Sequence, residues 1–157
     1  MTSADDRPRL LIVANTPSAN TETLARAAES GAREIAEIAA RRLTPPQAAA
    51  EDVLSANAVI IGTTENFGAM SGQIKDFFER VYYPCLEKTR ALPWALYVRA
   101  GKDGAGTLRG VQSIADGLRW RRTREPLLLQ GEWKDSFAEE CRILGATVAA
   151  GLAAGIF

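Results

Sequence analysis

Leu10-Leu11-Ile12-Val13-Ala14-Asn15-Thr16-Pro17-Ser18-Ala19-Asn20-Thr21 is the stretch that decides the fold. Its apolar start is unbroken, the pattern of a strand buried on both faces of a sheet. A polar loop follows. It runs into a segment where Leu24, Ala27, Ala28, Gly31 and Ile35 recur at helical spacing. A helix N-terminus favours an anion through its free N–H groups. Thr16, Ser18, Asn20 and Thr21 add hydroxyl and amide groups beside it. The same residue types dominate ordinary helix caps. Taken alone, the loop is either a cap or a phosphate cradle. A nucleoside-triphosphate loop needs Gly-Lys-Ser/Thr, and no lysine or arginine stands between Asn15 and Leu24. A phosphatase loop needs a nucleophilic cysteine, which is also missing there.

Outward from this unit the chain keeps alternating short apolar strands with longer amphipathic helices. A second strand is expected within residues 35–41. Thr44 before Pro45 predicts a helix start, with a short helix running to about Leu54. Ala58 to Gly62 is another continuous apolar strand. Ile74, Phe77, Phe78, Val81 and Cys85 form one face of a helix, with Lys75–Glu79 and Asp76–Arg80 as i,i+4 pairs on the other. Trp94 to Ala100 is the next strand. Leu108, Val111, Ile114, Ala115 and Leu118 mark a further helix, and Leu127 to Gln130 a last strand. Ser136 with Glu139 reads as a capping box. It opens a final helix that carries Phe137, Cys141, Leu144, Val148 and Leu152 on one face. The expected fold class is α/β: a doubly wound three-layer sandwich on a five-stranded parallel sheet. One domain spans residues 1–157, with 1–8 as a loose tail. Right-handed crossovers bring the loops after Ala14, Gly62 and Ala100 to one edge, where such folds bind ligands.

Composition narrows the function. The 19 basic and 19 acidic side chains cancel, so the basic surplus of a nucleic-acid binder is missing. No apolar run approaches the length of a membrane span, and Met1 to Arg9 lacks the pattern of a signal peptide. The expected setting is the cytoplasm, with no membrane partner. Cys85 and Cys141 lack metal or redox spacing and fit reduced thiols. The chain has no histidine, which removes the commonest general base and most zinc sites. No metal site and no catalytic side chain are assigned.

Two more loops carry chemistry. Gly62-Thr63-Thr64-Glu65-Asn66-Phe67-Gly68-Ala69-Met70-Ser71-Gly72-Gln73 combines a tight turn with an aromatic plate. Phe67 is either tucked into the core or free to border a flat ring. Arg99-Ala100-Gly101-Lys102-Asp103-Gly104-Ala105-Gly106 misses the dinucleotide spacing and follows a mid-chain strand. Its glycines suit close approach to a planar ligand, and Arg99 or Lys102 can bring positive charge to it. Arg119, Arg121, Arg122 and Arg124 cluster around Trp120, either as a solvated edge or as a seat for an acidic group.

These loops resemble those of a known family. Thr-x-Ser-x-Asn-Thr at residues 16–21 is similar to the flavodoxin phosphate loop, Thr/Ser-x-Thr-Gly-x-Thr, with Ala19 where that family usually has glycine. Phe67-Gly68-x-Met70-Ser71-Gly72-Gln73 resembles the flavin loop of the tryptophan-repressor-binding-protein type quinone reductases, and the following helix matches in register from Lys75 to Glu79. Glu65 and Asn66 depart from a Thr-Arg pair common there. The resemblance implies a flavodoxin-like sheet of order 2-1-3-4-5 and FMN as cofactor. Thr16, Ser18, Ala19, Asn20 and Thr21 would hold the phosphate. Thr64, Glu65, Asn66, Phe67 and Gly68 would face the flavin, with Arg99, Ala100, Gly101 and Gly104 closing on it. It further implies NADH or NADPH as electron donor, a quinone-like acceptor, and a homo-oligomer. Tyr82, Tyr83, Pro84 and Leu86 are the residues expected at the subunit contact.

The alternative is a flavodoxin-type electron carrier without a substrate of its own. Such carriers are typically acidic and sandwich the ring with a second aromatic, whereas this chain is neutral and residues 99–106 hold no aromatic. A phosphoacceptor receiver domain is excluded by Asn15 and Thr63 where acidic residues are needed. A degenerate domain without flavin has only Ala19 in its favour.

Overall fold

The computed structural model describes residues 4–157. Of the expected loose tail, residues 1–3 lie outside the described residues. Arg7 is tied down, donating to the carbonyl oxygens of Ala36 and Ile38 at 3.2 and 3.3 Å.

The sheet is built around β1 (Arg9–Ala14), in which every residue after Arg9 is buried. β1 pairs in parallel with β2 (Ala39–Leu43) on one side and β3 (Ala58–Asn66) on the other. β3 pairs in parallel with β5 (Pro93–Ala100). The fifth position is shared by two short strands. β6 (Arg121–Arg122) pairs with the start of β5, and β7 (Leu127–Gln130) with its end. The order is therefore β2-β1-β3-β5 followed by β6 and β7, which is the expected 2-1-3-4-5 arrangement of parallel positions with a broken last strand. Pro126, which has no N–H to give a ladder, lies in the break.

Helices α1 (Ala19–Arg33) and α5 (Ser136–Ala154) cover one face of the sheet. α2 (Ala50–Leu54), α3 (Gly72–Cys85) and α4 (Ala105–Gly117) cover the other. Strand alternation sorts the core accordingly. Leu11, Val13, Val59 and Ile61 face α3 and α4, while Leu10, Ile12, Ala58 and Ile60 face α1 and α5. α1 and α5 pack through small residues at very short range. A Cβ placed on Gly31 would lie 1.9 Å from the Arg142 carbonyl oxygen, and one on Gly145 would lie 2.0 Å from that of Ala28.

Cys85 and Cys141 are free and buried in opposite layers, so they cannot pair. Burial pushes the Cys141 thiol up to about 12 and raises that of Cys85, leaving both protonated at neutral pH. The two expected i,i+4 pairs form, Lys75–Glu79 and Asp76–Arg80, each at 2.8 Å. Arg80 also donates to the carbonyls of Pro45 and Ala48, fastening α3 to the segment after β2.

Some boundaries differ from the sequence reading. α1 stops at Arg33, before Ile35, and β2 begins only at Ala39. The helix expected from Thr44 to Leu54 splits. A 3-10 turn (Pro45–Gln47) ends at Ala48, which is extended, and α2 restarts where Asp52 accepts from the Ala49 N–H at 2.8 Å. The Ser136–Glu139 capping box does not form. Asp135 holds the cap position in helical conformation, and Glu139 is claimed by Arg142 at 2.6 Å. β3 runs to Asn66, beyond Gly62, and turns back as β4 (Ala69–Met70), pairing antiparallel with itself.

Among the described residues, no helix is long and apolar enough to cross a membrane.

Candidate functional site

All parallel strands end at one edge, and the three loops singled out from sequence meet there. Asn15 links the first two. Its backbone N–H donates to the Gly62 carbonyl, its side-chain NH2 donates to Thr64 Oγ1 at 3.2 Å, and its side-chain Oδ1 accepts from the Thr64 N–H. The end of β1 is thereby locked to the end of β3.

The first loop caps α1. Ser18 is the cap residue: its Oγ accepts from the Thr21 N–H at 3.2 Å, and Thr21 Oγ1 accepts from the Ser18 N–H at 2.9 Å. Thr21 is buried, and its hydroxyl donates to the Ser18 carbonyl, so it is spent on the cap. Ser18 is exposed, and its own hydroxyl proton is shared with Thr21 Oγ1 or free for a ligand. Among the described residues, the N–H groups of Ala19 and Asn20 have no hydrogen-bond partner. Ala19 lies in the first turn of α1 and does not take a positive φ, so the missing glycine costs nothing. Thr16 sits half-buried beside Glu22, whose carboxylate Arg26, Arg42 and the Thr16 hydroxyl together hold below its ordinary range. The result is a helix N-terminus with two open amides ringed by Thr16, Ser18 and Asn20.

The second loop is a hairpin. Phe67 and Gly68 form its turn with left-handed φ values of 52° and 77°, as a two-residue hairpin turn demands. The Phe67 ring is fully exposed, which removes the core reading of this side chain. The hairpin leans on α4: a Cβ on Gly106 would lie 1.9 Å from the Gly68 carbonyl oxygen. Thr63 is buried and accepts from the Ser71 N–H, while Ser71 caps α3 by accepting from the Ile74 N–H. Thr64 donates to Asn66 Oδ1 at 2.9 Å.

The third loop is pinned by Glu65. One carboxylate oxygen accepts from the Lys102 N–H and the other from the Gly104 N–H, both at 2.8 Å. Gly104 caps α4 with φ of 66°. Gly101 and Lys102 are exposed and Ala100 is buried beneath them. Arg99 points the other way. It donates to the carbonyls of Ala100 and Leu129 and stacks over the Phe137 ring at 5.1 Å. Its charge belongs to the α5 side and is not directed at the hairpin.

Beside the first loop lies a cavity of about 550 Å³ lined by Asn15, Thr16, Pro17, Thr44, Pro46, Asn66, Ser71, Gly72 and Gln73. That volume falls within the range of small-molecule sites. Thr44 and Pro46 come from the loop after β2, which ends at the same edge because β2 is parallel to β1. Trp120, by contrast, is core: it stacks near Phe78 and Trp94 and donates to Thr89. The surrounding arginines lie at the opposite edge, since Arg121 and Arg122 pair with the start of β5. They cannot serve a ligand at these loops.

Strand order and the placement of the helices on both faces define a flavodoxin-like fold. Solved structures agree. The chain is similar to a flavodoxin from the domain Archaea, with a TM-score of 0.80 at 15% identity, covering 92% of this chain and 98% of that one. A WrbA-like flavodoxin from Agrobacterium tumefaciens superposes with a TM-score of 0.68 at 18% identity, covering 94% and 98%. Rubredoxin oxygen:oxidoreductase from Desulfovibrio gigas gives 0.77 at 14% identity, with 97% of this chain matching 38% of that larger one. No protein-family model and no curated protein matches the sequence.

Proposed function

We propose that this protein binds FMN at the edge formed by the three loops and acts as an NAD(P)H-dependent oxidoreductase toward quinones or similar acceptors. The observation that carries the reading is the N-terminus of α1. Two amides with no partner among the described residues, the exposed Ser18 hydroxyl and the Asn20 side chain stand together, an arrangement suited to a phosphate ester. Ala19 and Asn20 would hold the phosphate through their amides. Thr64, Asn66, Phe67 and Gly68 would border the ring, with residues 101–104 beside them. FMN supplies hydride and electron transfer when bound; the protein positions it and sets its electrostatic surroundings.

Two features favour an enzyme over a carrier. Phe67 stands alone, with no aromatic in residues 101–104 to cover the other side, so nicotinamide and acceptor can reach the ring in turn. The net charge of zero lacks the acidic surplus that would steer a carrier onto a basic partner. Anaerobic mixing decides between them. NADH or NADPH is expected to bleach the flavin of the loaded protein, and benzoquinone to restore its colour rapidly. No bleaching with either nucleotide, together with dithionite reduction in two separate one-electron steps, returns the carrier reading.

The same reading makes the chain a homo-oligomer. Tyr83 is 79% exposed at the end of α3 and does not complete the core. Light scattering of the FMN-loaded protein at micromolar concentration is expected to give a dimer or larger; a monomer overturns this part.

A further inference from the structure

Glu65 stands where a neutral residue is usual in the resembling loops, and the structure shows what its carboxylate does. It joins the end of β3 to the loop after β5, accepting from the Lys102 and Gly104 amides at 2.8 Å each across 37 and 39 residues of sequence. Both partners are neutral backbone groups. Among the described residues, no lysine or arginine side chain pairs with this carboxylate. Arg99, the nearest strand cation in sequence to that loop, is turned toward Leu129 and Phe137. The contact therefore fixes a carboxylate, compensated by backbone dipoles at the start of α4 and by no side-chain cation, in the wall between the hairpin and residues 101–104. It also removes two amide donors from that wall.

We infer that Glu65 is a positioning residue that tunes the site toward a strong reductant, an inference that rests on the FMN reading above. Two-electron reduction of a flavin adds negative charge to the ring near neutral pH. A fixed carboxylate in the wall of the site would oppose that charge, and in a half-buried site screening is weaker than in water. The amides of Lys102 and Gly104 would otherwise stabilise it, as oriented donors do wherever charge develops. Both effects have the same sign and lower the two-electron potential. A low potential suits transfer onward to an acceptor.

Potentiometry of FMN-loaded protein tests this with wild type, Glu65→Gln and Glu65→Asp. Glu65→Gln is expected to shift the oxidised-to-reduced equilibrium at least tenfold toward the reduced form, a rise of about 30 mV for a two-electron couple. Glu65→Asp keeps the charge and is expected to stay close to wild type. Equal potentials in all three overturn the inference while leaving FMN binding standing. Equal rises in both variants assign the effect to loop geometry and also overturn it. FMN bound by wild type and lost by both variants makes Glu65 a clasp alone. A wild-type protein that takes up no FMN, judged by its visible spectrum, removes the underlying reading instead.

Discussion

Ser18→Ala is expected to weaken FMN binding by about 10- to 150-fold while leaving riboflavin affinity nearly unchanged. A hydrogen bond to a charged group contributes roughly 1.5–3 kcal/mol, which gives that range of dissociation constants. Ser18 also caps α1, and losing the cap costs about 0.5–2 kcal/mol of stability. Riboflavin separates the two effects, because it shares the ring and lacks the phosphate. Asn20→Ala sharpens the test: its side chain is exposed and makes no cap bond, so it should lower FMN affinity without lowering Tm. Thr21→Ala is the less informative variant, since Thr21 is buried and its hydroxyl is engaged with Ser18. Fluorescence titration with both ligands measures the outcome. Equal losses for FMN and riboflavin would sink the phosphate assignment.

The parts of the fold legible in the sequence were those with continuous or strictly periodic apolar character. β1, β3 and β5 are buried on both faces, so their apolar runs could hardly be read otherwise. β2 lies a few residues beyond the expected 35–41 because it is an edge strand with Arg41 and Arg42 in its middle. Its residues are only half-buried, and Arg42 is held by Glu22 and Glu29. The hairpin at Phe67 has a weak signature for a different reason. Its turn needs left-handed φ at two successive positions, which Asn-Gly or Asp-Gly announces and Phe-Gly does not.

The site was legible as three loops but not as contacts. The edge rule located them without any side-chain information, and applied to β2 it would have added Thr44 and Pro46. The direction of Arg99 follows from strand alternation, since Val98 and Ala100 face α3 and α4 and the residue between them must face α5. The clasp of Glu65 on residues 102 and 104 had no local signature. It depends on two loops far apart in sequence arriving side by side. Ser136 and Glu139 show the opposite failure: the motif was present, yet the helix began one residue earlier and a stronger charged partner took the glutamate.

Gly145→Ala should destabilise the protein, against the ordinary rule for a glycine inside a helix. In open surroundings the substitution gains about 0.8–1 kcal/mol from helix propensity. Here the new methyl would lie 2.0 Å from the Ala28 carbonyl oxygen and 3.0 Å from the Ala32 nitrogen. Both are backbone atoms of α1, so no rotamer change relieves the clash, and the helices must move apart. Separation would also loosen contacts among Ala28, Ala32, Cys141 and Ala149, all buried along the same seam. Overpacking of this kind costs typically 1–3 kcal/mol and sometimes more. For a domain of this size each kcal/mol lowers Tm by about 2–4 °C. A fall of roughly 2–12 °C is expected for Gly145→Ala, and loss of folding for Gly145→Leu. Gly110→Ala in α4 is the control. Its methyl would meet only the Met70 methyl at 2.9 Å, the movable end of a flexible side chain. That variant should hold or raise Tm. If calorimetry finds Gly145→Ala as stable as Gly110→Ala, the close α1–α5 crossing is not what fixes these helices on the sheet.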